Sequence, residues 1–96
     1  MIKRDGLKEG MEAHHMLPQQ FKDYFDDAGL NINDPKYGYW LTPADHRENG
    51  KAYRYNKAWE VFWETENGEK VEHTIKEILD MAQKLMDEIY EKTVSF

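Results

Sequence analysis

The chain has 96 residues, a net charge of −6 and no cysteine. That length fits one packed domain, and the missing thiols exclude disulfides and thiolate zinc sites. The acidic balance argues against broad electrostatic capture of nucleic acid, which ordinarily needs a basic face.

In chain order, residues 1–10 are charged and glycine-punctuated and read as a lead-in with no apolar stretch of a signal peptide. Residues 11–16 read as a short extended segment. Pro18 suits a first helical turn. Phe21, Tyr24 and Phe25 then recur at helical spacing until Gly29 supplies a stop, predicting a helix over 18–28. Residues 31–38 are a loop by composition. Tyr39–Thr42 has strand chemistry and ends at Pro43. The polar run Ala44–Ala52 begins as a short helical turn. Tyr55, Trp59 and Phe62 then mark a helix over about 53–65, broken at Asn67-Gly68. Val71, Ile75, Ile78, Leu79, Ala82, Leu85, Met86, Ile89 and Tyr90 form one apolar stripe, predicting an amphipathic helix over about 70–92. No apolar run is long enough for a transmembrane span.

Four groups could carry chemistry. His14 and His15 are adjacent, and on an extended backbone neighbours face opposite ways. The bland reading puts one imidazole in a core niche and the other in water. The sharper reading gives them different jobs, one on a metal and one on a proton. That division suits phosphate-ester hydrolysis, which needs a cation against the phosphate charge and a base that titrates near neutral pH. His46, in Pro-Ala-Asp-His-Arg, reads alone as a capping or hydrogen-bonding residue. Asn56 reads alone as an N-cap or surface residue, although its amide oxygen is a hard ligand suited to Mg²⁺-like ions. His73 lies off the apolar stripe and reads as a solvated helix residue.

Three short blocks together resemble a known family. Ala13-His14-His15-Met16-Leu17-Pro18, Leu41-Thr42-Pro43-Ala44-Asp45-His46-Arg47 and Tyr55-Asn56-Lys57-Ala58-Trp59-Glu60-Val61-Phe62 are similar, in that order, to the AHH-type nucleases. These belong to the HNH/endonuclease VII (ββα-metal) superfamily and occur as tips of bacterial polymorphic toxins. The resemblance covers residues 11–64. It implies an α+β fold, mostly helical, in which a small β-hairpin and a helix carry the site and the long C-terminal helix braces it. It implies that His14 is a metal ligand, His15 the general base and Asn56 the second protein ligand. His46 would bind the metal, contact the scissile phosphate or orient the base.

The family's all-histidine sites carry another histidine about four residues after the position of His46, where this chain has Gly50. A single divalent ion held by His14, Asn56 and waters fits better, Mg²⁺ first, with Mn²⁺, Ni²⁺ or Zn²⁺ as alternatives. Arg47, Lys51, Arg54 and Lys57 cluster near the proposed site, with Arg47 and Arg54 expected on phosphate, while acidic residues concentrate in 60–91. The expectation is a metal-dependent endonuclease acting on DNA or RNA, with a cognate immunity protein as partner and no membrane partner. A toxin module would be delivered into a target cell's cytoplasm; otherwise the protein would be cytoplasmic. Two competing readings are a small acidic protein-binding module, such as an immunity protein or nucleic-acid mimic, and a structural domain docking through the last helix.

Overall fold

The computed structural model describes residues 10–47 and 50–96, without the side chain of Arg47. The chain is α+β, as the sequence predicts. Strands β1 (Glu12–His15) and β2 (Gly38–Leu41) form an antiparallel pair, and helices α1 (Lys22–Asp27), α2 (Pro43–Arg47), α3 (Lys51–Trp63) and α4 (Ile75–Tyr90) surround it. In the register, Glu12 faces Leu41, Ala13 faces Trp40, His14 faces Tyr39 and His15 faces Gly38. The Met16 N–H donates to the Tyr37 carbonyl at 2.8 Å, which carries the pairing one residue past the histidines. Two residues on, Pro18 turns the chain into a 3₁₀ turn (Gln19–Phe21) that runs into α1.

Local chemistry sets the remaining boundaries. Asp34 accepts the Lys36 N–H and opens the 3₁₀ turn that leads into β2. Thr42 Oγ1 accepts the Asp45 N–H and starts α2 directly after the strand. Gly50 precedes α3 at φ +69°, a left-handed conformation that a side chain would strain. Tyr55, Trp59 and Trp63 recur every four residues on α3 and are all fully buried. They pack with Phe25 of α1, Leu17, Ile32 and Leu41 into one core.

The last helix starts five residues later than its apolar stripe suggests. Val71 and His73 belong to a connecting segment, where Lys70 bridges back to Glu64. The helix begins where Thr74 caps it: Thr74 Oγ1 accepts the Glu77 N–H and Glu77 accepts the Thr74 N–H. Its buried face is Ile78, Ala82, Leu85, Met86, Ile89 and Tyr90, whose larger apolar side chains contribute about 2 kcal/mol each. Among the described residues, no helix is long and apolar enough to cross a membrane.

His73 corrects the sequence reading. It is not a solvated helix residue. It precedes the cap, its ring stacks on Phe62 at 3.7 Å between centroids, and its Nε2–H donates to the Phe62 carbonyl at 2.7 Å. Both contacts tie α3 to the start of α4, so its role is structural.

Candidate functional site

Both histidines of the pair sit at the end of β1, just before Pro18 diverts the backbone. His15 is the last residue of β1, and the two side chains differ in burial. Both line one open cleft of about 240 Å³. His46 of α2 and Asn56 of α3 line the same cleft. Three segments far apart in sequence thus meet: the strand end, the helix that follows β2, and the next helix. Gln19 and Gln20 complete the polar lining, and Pro18, Ala13 and Ala52 form the rest of the wall. The two alanines leave room that larger side chains would fill.

His14 is the buried member of the pair, 6% exposed. Its ring lies against Tyr55 at 4.5 Å, Tyr90 at 4.9 Å and His46 at 5.3 Å between centroids. Burial among these rings, and then the nearby His46 and His15, lower its pKa from 6.5 to about 3. At neutral pH it is an uncharged imidazole, the form a metal ligand must take. Its Nε2 is buried and has no hydrogen-bond partner. An unmet buried polar atom costs about 1–3 kcal/mol and calls for an explanation.

His15 is half-buried. His46 is held from β1: its Nδ1 lies 2.9 Å from Glu12 Oε1, with both side chains about one-quarter exposed. Neutral His46 then carries its proton on Nδ1, toward the carboxylate, which leaves Nε2 as the nitrogen available to a ligand. Sequence reasoning missed Glu12. The available signal was weak: Glu12 shares the period-two face of His14, yet its histidine partner is 34 residues away.

Asn56 is partly exposed in the middle of α3, not an N-cap. Arg54, two residues earlier, is exposed and is not among the residues lining the cleft. The Arg47 side chain lies outside the described residues. Lys57 is exposed and paired with Glu60 at 3.1 Å. A second shallow cleft of about 200 Å³ runs on along α3, sharing Gln20 and Asn56 and lined further by Tyr53, Lys57 and Glu60.

Among the described residues, no group of three or more His, Asp or Glu is arranged to hold a metal ion. The donors on the cleft are instead a neutral imidazole and a carboxamide. That set fits an ion that keeps several of its waters, as small hard divalent cations do. No family model, curated protein or solved structure matches this chain.

Proposed function

We propose that the chain is a metal-dependent endonuclease that hydrolyses DNA or RNA phosphodiesters, acting as a toxin domain of the AHH type. The observation that supports this reading most is the convergence of His14, His15, His46 and Asn56 on a single cleft, from segments with no other reason to carry those groups together. His14 and Asn56 would hold the ion. A divalent cation there supplies charge neutralisation at the scissile phosphate and at the departing oxygen.

The chain's own groups do the rest. His15 lines the cleft, is more exposed than His14, and takes the proton from the attacking water. The water oxygen bonds to phosphorus as the phosphorus–oxygen ester bond breaks. His46, with Nδ1 held by Glu12, keeps a fixed imidazole edge toward the phosphate. Arg54 meets flanking phosphates outside the cleft, and Arg47 is assigned the same role from sequence. The ordering of base and ligand is what gives an adjacent pair two distinct jobs: the buried imidazole stays neutral and the more exposed one exchanges protons.

The net charge of −6 favours a second reading, a small acidic module that binds a basic protein. Such a module has no need of a histidine–asparagine cleft, and it would take up no metal. As a toxin domain the chain would act in a target cell's cytoplasm and be neutralised by a cognate immunity protein.

The test is cleavage of plasmid DNA and of structured RNA by purified protein with Mg²⁺ or Mn²⁺, against a chelated control. His15→Ala should lower the rate about 10²- to 10⁴-fold with an unchanged circular dichroism spectrum. Cleavage at the unmutated rate by that variant would remove His15 from the chemistry.

A further inference from the structure

The C-terminal helix lies outside the motif blocks, yet its last residue reaches the candidate site. Tyr90 closes α4, is 3% exposed, and sets its ring 4.9 Å from the His14 ring, tilted by 58°. Its hydroxyl is buried and has no hydrogen-bond partner, and neither has Nε2 of His14. Two unmet polar atoms therefore lie on two rings in contact. Two other groups beside His14 have partners of their own. The Tyr55 hydroxyl donates to the Met16 carbonyl at 2.6 Å, and Nδ1 of His46 is held by Glu12. Burial keeps the Tyr90 phenol protonated far above neutral pH, so it offers an oxygen lone pair and one proton, never a charge.

We propose that Tyr90 is a positioning residue for His14: its hydroxyl oxygen accepts the Nε2–H, directly or through one water, which fixes the ring plane and leaves Nδ1 as the ligand nitrogen. The idea rests on the nuclease reading only in what Nδ1 then binds. Histidines that hold metals ordinarily donate their second ring N–H to an outer partner, which selects the tautomer and orients the ring. Here that partner comes from a helix about 75 residues along the chain, so α4 contributes to the site as well as bracing it.

The experiment compares the unmutated protein with Tyr90→Phe, which keeps the ring and removes the oxygen. In metal-free protein, ¹⁵N spectra of the imidazoles should show His14 as a single tautomer with its proton on Nε2. In Tyr90→Phe that preference should give way to a mixture. Calorimetric titration with Mn²⁺ alone should show binding weakened about 10- to 100-fold in the variant. The proposal is overturned if His14 keeps the same tautomer in both proteins, or if its proton sits on Nδ1 in the unmutated protein. That last result decides the matter even if Tyr90→Phe does not fold. If the tautomer follows Tyr90 but neither protein takes up Mn²⁺, the positioning role stands and the nuclease reading falls. If Mn²⁺ binds both equally and the tautomer ignores Tyr90, the reverse holds.

Discussion

The burial of His14 makes folding stability depend on pH in a direction and by an amount that can be worked out. The unfolded chain takes a proton on His14 below about pH 6.5, whereas the folded chain resists until about pH 3. The stability is fully present above pH 6.5 and drains away as pH falls through that window. One pKa unit corresponds to about 1.4 kcal/mol, so between pH 7 and pH 5 this one residue should remove about 2 kcal/mol. A domain of this size has a total of roughly 5–14 kcal/mol, so the loss is measurable without unfolding the protein. The assay is urea denaturation in chelator at pH 7, 6 and 5, followed by emission of the buried Trp59 and Trp63. His14→Phe fills the same aromatic niche without titrating. Carboxylates contribute equally to both proteins, so the difference between the two curves isolates the imidazole. The variant should lose most of the 2 kcal/mol dependence. Parallel pH dependences for the two proteins would mean that His14 titrates normally, and the account of a neutral ligand would go with it.

Further outcomes follow from other contacts. Thr74→Ala removes the reciprocal cap with Glu77 and should cost about 1 kcal/mol, lowering Tm by roughly 4–8 °C in calorimetry. Tyr55→Phe leaves the Met16 carbonyl without its buried donor and should cost about 1–3 kcal/mol in urea denaturation. Glu12→Gln takes the charged partner from His46 and should slow cleavage roughly 10- to 100-fold with little change in Tm, since the pair is partly solvated. An unchanged cleavage rate in that variant would make the Glu12–His46 contact incidental.

Much of the framework was legible before any coordinates. Helical spacing found α1, α3 and α4, and the glycine and proline signals found most of their limits. The start of α4 was misjudged because Val71 continues the apolar stripe by chance. The decisive signal was Thr74-Ile75-Lys76-Glu77, a capping box, which states where backbone N–H groups need partners and so outranks periodicity. His73 was misread for the same reason: counted as helical it faces water, whereas in the connecting segment it stacks on Phe62.

The candidate site was legible as a set of residues that share a cleft, but not as an arrangement. His14, His15, His46 and Asn56 were singled out by residue type and order, and one cleft collects them. Which histidine is buried was not readable, because alternation separates their faces without saying which face meets the core. Glu12 and Tyr90 were invisible because their roles depend on contacts 34 and about 75 residues away in sequence. Arg54 was grouped with the site by closeness along the chain, but two residues on a helix span about 200° of rotation, which separates it from Asn56.

The most direct test of the central claim is diffraction from crystals grown with Mn²⁺, recorded where manganese scatters anomalously. The account predicts one anomalous peak in the cleft, bound by the His14 imidazole and the Asn56 amide oxygen, with His15 facing the adjoining solvent. Crystals at saturating Mn²⁺ with no peak at that position, or with the ion on other residues only, would contradict it.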